Sequence, residues 1–248
     1  GRMERIAVVN KLAPSRKIYL DTNGELLKVG DLLKNPDMGR TYQRIADEGV
    51  EVFYSGAIAD AIDADMRAHG GLLSKQDLAN CTPVTNPPLV GTYRGFEVAT
   101  NQLPGGGLMV LEMLNILECF DLAAMGHNSS AYIATVAEAM KYATIDKDAK
   151  MGDPNFVDVP VDRLLSKSYA QSLADRIRAG EKAHVKRLNT GAAESKDTTH
   201  LVVADSDGNV VNLTHSLGSS SGVITEGLGF MYNNCMMVFD PRPGHVGS

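Results

Sequence analysis

Apolar positions in the first two-thirds of the chain recur at helical spacing. Ser55 is placed to cap a helix through Met66, with Ile58, Ala59, Ile62 and Met66 on one stripe and Gly70-Gly71 at its end. Ser74-x-x-Asp77 has the spacing of a capping box, in which hydroxyl and carboxylate take up backbone N–H groups that a first helical turn leaves without partners. From Asn86 to Thr100 the pattern changes: Pro87-Pro88 and Gly91 punctuate it, and Phe96, Val98 and Thr100 alternate as in a strand. Pro104-Gly105-Gly106-Gly107 then leads into a helix carrying Leu108, Leu111, Leu114, Ile116 and Leu117. A longer helix is predicted from about Ser129 to Lys147, with Ile133, Val136, Ala139 and Met140 inward, until Gly152-Asp153-Pro154 breaks it. A further helix spans about Ser168 to Ala179.

Residues 180–197 are polar and aperiodic, a surface linker of the kind that tolerates a chain break. After it the period switches to two. Leu201-Val202-Val203-Ala204 and Val210-Val211-Asn212-Leu213-Thr214 flank Asp205-Ser206-Asp207-Gly208-Asn209, a strong hairpin signal. A helical body joined by a polar linker to a strand block is an α+β arrangement. The turn decides what the hairpin presents. A two-residue Asp207-Gly208 turn sets His200 opposite His215, a candidate metal pair. A three-residue loop with Gly208 left-handed pairs Asp205 with Asn209, Thr198 with Ser216 and His200 with Thr214. The second register gathers Thr198, His200, Asn212, Thr214 and Ser216 on one face and Leu201, Val203, Val211, Leu213 and Leu217 on the other. It is the expected one, with the apolar face packed and the other holding hydroxyls.

Composition narrows the function classes. With 248 residues and 44% apolar content the chain can fill a sizeable core, and its net charge of -6 includes no basic stripe for nucleic acid. The longest apolar stretch, Leu108 to Leu122, is interrupted by Glu112, Asn115, Glu118 and Asp121, so no membrane span is expected. The first residues, Gly1-Arg2-Met3-Glu4-Arg5, show no signal-peptide core. Cys81, Cys119 and Cys235 have no metal or disulfide spacing, and the six histidines are scattered. Asp205-x-Asp207-x-Asn209 opens like a calcium loop, but Val210 and Ser216 stand where a glycine and a bidentate Glu are needed. The Pro104–Gly107 segment lacks the Lys-Ser/Thr of a phosphate loop. No metal and no cofactor is expected.

Thr198, at the head of the predicted strand, is a candidate nucleophile. A hydroxyl is a weak nucleophile unless a base takes its proton. If the chain is cut before Thr198, the new α-amino group is that base, and its unperturbed pKa of about 7.7–8.0 leaves a substantial neutral fraction near neutral pH. The polar linker ending Glu194-Ser195-Lys196-Asp197 is a plausible place for the cut.

The segments around Thr198 supply a resemblance. Asp197-Thr198-Thr199-His200, Asp205 to Val211 and Gly227-Leu228-Gly229-Phe230-Met231-Tyr232-Asn233-Asn234-Cys235-Met236 resemble the start of the small subunit of γ-glutamyltranspeptidases. Phe53-Tyr54-Ser55-Gly56, Gly70-Gly71-Leu72-Leu73-Ser74, Tyr93-Arg94-Gly95, Leu114-Asn115-Ile116-Leu117-Glu118 and Gly152-Asp153-Pro154-Asn155-Phe156 resemble that family's large subunit, in the same order along the chain.

The resemblance implies the four-layer αββα sandwich of N-terminal nucleophile hydrolases, here incomplete. Residues 1–197 correspond to the mostly helical end of the large subunit with its linker, and 198–248 to the β-rich start of the small one. It implies a precursor that cuts itself between Asp197 and Thr198 into a heterodimer. Thr198 then takes an acyl group from a γ-glutamyl donor such as glutathione and passes it to water or an amine, with Ser216 as supporting hydroxyl. Gly218, Asn233, Asn234 and Cys235 fall at substrate-binding positions.

Two departures bear on the donor. Gly218 replaces an asparagine, and Met237 and Val238 fill the place of an acidic residue that grips the donor's ammonium. An apolar side chain offers no charge-assisted hydrogen bond, typically worth about 1.5–3 kcal/mol. A related acylase that hydrolyses glutaryl-type amides, and a non-catalytic protein retaining the fold, therefore stand as alternatives. The family's donor-carboxylate arginine and its oxyanion-hole region have no counterpart here, so this piece alone is expected to be inactive. Periplasmic or extracellular placement follows from the resemblance, with the cytoplasm left open.

Overall fold

Side-chain caps from Asn35, Ser74, Ser129 and Ser166 open four of the described helices. The computed structural model describes residues 9, 12–186, 198–218, 220–238, 244 and 246, in two units, one of residues 1–83 with 193–238 and the other of 84–192 with 239–248. In the first, α1 spans Ala13–Tyr19, α2 Pro36–Glu48, α3 Glu51–Tyr54, α4 Ala57–His69 and α5 Lys75–Ala79. Asn35 caps α2 by accepting the Met38 N–H at 3.0 Å, and Pro36 supplies a first helical residue that needs no hydrogen-bond partner. The Ser74–Asp77 capping box opens α5 as its spacing predicts. Ser55 does not cap α4. Its hydroxyl donates back to the Glu51 carbonyl at 3.1 Å, closing α3, and α4 begins after Gly56 and runs to His69. Val52, Ile58, Ala59, Ile62, Leu78 and Leu228 form this unit's core.

The second unit opens with an antiparallel hairpin, β1 Leu89–Tyr93 and β2 Phe96–Thr100, in which Tyr93 pairs with Phe96. Only β2 is predicted from alternation; β1 has Gly91 at its centre and pairs through a turn of Arg94 and Gly95, both at positive φ. Four helices follow: α6 Gly107–Glu118, α7 Ser130–Lys150, α8 Val161–Leu165 and α9 Lys167–Arg178. Leu108, Leu111 and Ile116 of α6 are fully buried or nearly so. Of the predicted inward residues of α7, Ala139 is buried and Val136 half-buried. Ile133 and Met140 are exposed, while Thr135, Glu138, Ala139, Tyr142, Ala143 and Asp146 are buried. The two carboxylates of that buried face are paired: Glu138 accepts the Lys141 ammonium and the Ala183 N–H, and Asp146 accepts Lys150 and, at 2.6 Å, the Tyr169 hydroxyl, while the buried Tyr142 hydroxyl has no hydrogen-bond partner among the described residues.

Among the buried carboxylates Glu112 differs. Its residue is 0% exposed on α6, and neither carboxyl oxygen accepts a hydrogen bond from any described donor. Burial first, and then the neighbouring Asp146 carboxylate, push its pKa up to about 9. Two carboxylates offer each other only lone pairs, so a protonated Glu112 donating to Asp146 satisfies both groups. Burial works to raise Asp146, but hydrogen bonds from Glu112, Lys150 and Tyr169 outweigh it and hold Asp146 low.

The chain then returns to the first unit as the antiparallel hairpin of β3 Thr198–Ala204 and β4 Val210–Ser216. Its register is the one that sorts the faces, with Thr198 opposite Ser216 and His200 opposite Thr214. Gly208 is left-handed (φ 84), a backbone state that glycine enters without steric cost, and the Asp205 N–H donates to the Asn209 carbonyl at 3.1 Å. The Asp205 carboxylate, which mimics a first calcium ligand, accepts the Asp207 and Asn209 N–H groups at 3.0 and 2.8 Å and the Asn209 side chain at 2.8 Å. Those hydrogen bonds, the Asn209 side chain foremost, lower its pKa. The expected packing of the apolar face is absent among the described residues. Every residue of both strands is exposed, Leu201 at 42% and Leu213 at 49%. A two-stranded ribbon has two faces, and these residues cover neither. No described helix is long and apolar enough to cross a membrane.

Candidate active site

Thr198 opens β3 and Ser216 closes β4, so the hairpin register alone sets their side chains face to face. The Thr198 hydroxyl donates to Ser216 Oγ at 3.3 Å. The Gly218 N–H donates to the same oxygen at 3.1 Å. Two residues along the strand, His200 Nδ1 lies 2.8 Å from Thr214 Oγ1. His215 is opposite Thr199, which removes the His200–His215 metal pair. Among the described residues, no group of three or more His, Cys, Asp or Glu gathers where it could hold a metal ion.

Asn233–Cys235 lies against the end of β4. The Asn234 N–H donates to the Leu217 carbonyl at 2.8 Å, Ser220 and Asn233 form an isolated bridge, and Cys235 Sγ is 4.0 Å from the Ser216 carbonyl oxygen. Asn233 Oδ1 is taken by the Cys235 N–H at 3.0 Å, a local turn contact. The structure thus brings Thr198, Ser216, Gly218, Asn234 and Cys235 together, with Asn233 facing its own turn. Asp197 lies outside the described residues.

What holds Asn233–Cys235 there is a set of contacts that the sequence pattern does not announce. Ser221 Oγ donates to the Tyr232 carbonyl at 2.6 Å, and the Tyr232 N–H donates to the Val223 carbonyl at 3.0 Å. Thr225, buried, donates to Asp65 on α4 at 2.6 Å and lies 2.6 Å from the Tyr232 hydroxyl. Burial pushes the Tyr232 phenol up, keeping it a neutral hydrogen-bonding group. Thr41 Oγ1 donates to the Leu228 carbonyl and the Asn35 side chain to the Gly229 carbonyl, at 2.8 and 2.7 Å. Ser15, fully buried, donates to the Gly222 carbonyl at 2.6 Å. Hydroxyls from α1 and α2, the Asp65 carboxylate of α4 and the amide of the α2 cap therefore fix this loop. Polar residues on helix faces toward the core were the available signal, but their partners lie about 160 to 210 residues away in sequence.

The γ-glutamyltranspeptidase family model matches residues 2–246. The chain belongs to that family. A glutathione hydrolase proenzyme of Escherichia coli (strain K12) is 38% identical over 227 residues, covering 89% of this chain and 39% of the relative. The acylase ACY 1 proenzyme of Pseudomonas sp. (strain V22) is 38% identical over 236 residues, covering 94% of this chain and 42% of that protein. The cephalosporin acylase from Bacillus halodurans superposes with a TM-score of 0.81 at 28% identity, over 100% of this chain and 45% of that one. The γ-glutamyltranspeptidase-type fold is thus present here as an incomplete α+β arrangement, and the chain spans about two-fifths of the length of these curated relatives. Both hydrolases of glutathione and acylases are among its relatives.

Proposed function

We propose that the protein of which this chain is part is a γ-glutamyltransferase or glutathione hydrolase that works through an acyl-enzyme on Thr198. The observation that carries the reading is the Thr198–Ser216 hydroxyl pair at 3.3 Å, at the head of a strand directly after the polar linker. In the maturation step Thr198 Oγ attacks the Asp197 carbonyl carbon and the Asp197–Thr198 C–N bond breaks. The hydroxyl proton passes to the departing nitrogen, leaving an ester. Water hydrolyses that ester, releasing the Asp197 carboxylate and restoring the Thr198 hydroxyl beside a free α-amine. The chain is thereby divided into 1–197 and 198–248 portions.

In turnover that amine takes the hydroxyl proton while Oγ attacks the donor's amide carbonyl, and the leaving amine departs protonated. Water or a second amine then resolves the ester. Ser216 orients the Thr198 hydroxyl in both steps. An unperturbed α-amine titrates at about 7.7–8.0, so turnover rises with pH through that range.

Glutaryl-type acylase activity is the second reading, favoured by Gly218 and Val238 at positions where the resemblance expects polar contacts to the glutamyl end. The acylase relative, as identical as the glutathione hydrolase, supports weighing it. Full-length protein is assayed with γ-glutamyl- and glutaryl-p-nitroanilide. Release from the first that disappears in Thr198→Ala is the expected result. Release from the second alone transfers the proposal to the acylase reading, and release undiminished by Thr198→Ala rejects the nucleophile. The 248-residue piece is expected to turn over neither donor, and measurable release by it would overturn that expectation.

A further inference from the structure

Ser216 Oγ has two lone pairs and one proton to give. The Thr198 hydroxyl and the Gly218 N–H engage it as an acceptor, at 3.3 and 3.1 Å. The orientation of the supporting hydroxyl therefore depends on where the Gly218 amide points. That amide sits in a left-handed residue (φ 71), and a Cβ built there would stand 3.2 Å from both the Asn234 carbonyl oxygen and the Cys235 Cα. An L side chain at 218 thus meets two separate obstacles, the backbone conformation and the neighbouring main chain. Relief of either rotates the 217–218 peptide or displaces Asn234–Cys235, and the Asn234 N–H is what holds the Leu217 carbonyl at 2.8 Å.

We propose that Gly218 is a positioning residue for the Thr198–Ser216 pair: a left-handed turn, which glycine enters without strain, aims its N–H at Ser216 Oγ and keeps that oxygen facing the Thr198 hydroxyl. The inference rests on Thr198 being the nucleophile. It assigns position 218 a main-chain role in self-cleavage and acyl transfer, in place of a side-chain contact to substrate. Main chain from Asn234 and Cys235 stands beside position 218, so a Cβ there requires it to give by a few tenths of an ångström.

The test follows conversion of the full-length precursor from one band to two on a denaturing gel. Gly218→Ala is expected to slow conversion on the order of ten- to a hundredfold, the range associated with small misplacements of reacting groups. In the converted fraction kcat falls while KM for the donor stays within about twofold, because ground-state binding is not what changes. Gly208→Ala is the control: it is equally left-handed (φ 84) but has nothing within 4 Å of an added Cβ, and converts at the wild-type rate. Ser216→Ala combined with Gly218→Ala converts no more slowly than Ser216→Ala alone, since both remove one contact.

Conversion of Gly218→Ala at the wild-type rate, equal slowing by Gly208→Ala, or a raised KM at unchanged kcat would overturn the inference. Should Gly218→Ala fail to fold, Gly218→Asn and Gly218→Ser replace it: asparagine, which tolerates left-handed backbone, is expected to convert faster than serine, and equal rates would overturn the inference. If wild type and Thr198→Ala both stay uncut, the nucleophile reading has failed. Normal cutting by Gly218→Ala beside an uncut Thr198→Ala rejects the role of Gly218 alone.

Discussion

The helices of the 84–192 unit and the β3–β4 hairpin show equally clear periodicity, yet the described residues treat them in opposite ways. On α6, Leu108 and Ile116 are 0% exposed, enclosed by side chains from neighbouring helices of the same unit. On the hairpin, Leu201, Val203, Val211 and Leu213 share a face as their alternation requires, and all are exposed. Periodicity tells which face wants cover, and says nothing about where the cover comes from. The helical bundle finds it within this chain. The hairpin, which carries the Thr198–Ser216 pair, does not find it among the described residues. The candidate chemistry therefore sits on the exposed hairpin, not within the buried helices of the 84–192 unit.

Ile116→Ala and Leu213→Ser break the comparison directly. Ile116 is fully buried, so its truncation costs about 2–5 kcal/mol, read as a lowered denaturation midpoint of this chain. Leu213→Ser changes the same midpoint by under about 0.5 kcal/mol, as surface substitutions do. In the full-length protein Leu213→Ser is expected to cost about 1.5 kcal/mol or more, because a covered leucine loses its transfer free energy. Equal costs in both lengths would mean that the hairpin face stays bare.

Glu112 sharpens the helical side. A carboxyl with its pKa at about 9 in the folded unit and near the ordinary value of 4.5 when unfolded binds more protons folded than unfolded. Its penalty is absent below the unfolded value, grows as pH rises, and is complete above about 9. Wild-type stability therefore declines between those limits. Glu112→Gln keeps a neutral donor toward Asp146 and removes the decline. At about 1.36 kcal/mol per unit of pH above the unfolded value, the variant is the more stable by roughly 4 kcal/mol at pH 8 and by under about 1 kcal/mol near pH 5. Parallel pH profiles for the two proteins would contradict a protonated Glu112.

These contrasts also show what residue order reveals. The Ser74–Asp77 box and the β3–β4 register were legible because each is settled within about twenty residues, by capping chemistry or by one turn. Thr198, Ser216 and Gly218 came with that register. The inward face of α7 was legible only in part because Glu138 and Asp146 are buried on account of partners elsewhere, while Ile133 and Met140 are left outside. Ser55 closes α3 instead of opening α4 because its hydroxyl reaches the Glu51 carbonyl. The anchoring contacts of Thr41, Thr225 and Ser15 join distant segments, and only their assembly exposes them.

The central claim is that Thr198 is the residue unmasked by cleavage and the one that acts. Full-length protein, purified intact and as Thr198→Ala, is run on a denaturing gel, and the smaller product is subjected to N-terminal sequencing. Two bands for the wild type, the smaller beginning at Thr198, and a single uncut band for the variant are predicted. One band in both, or a cut that persists in Thr198→Ala, would contradict the account.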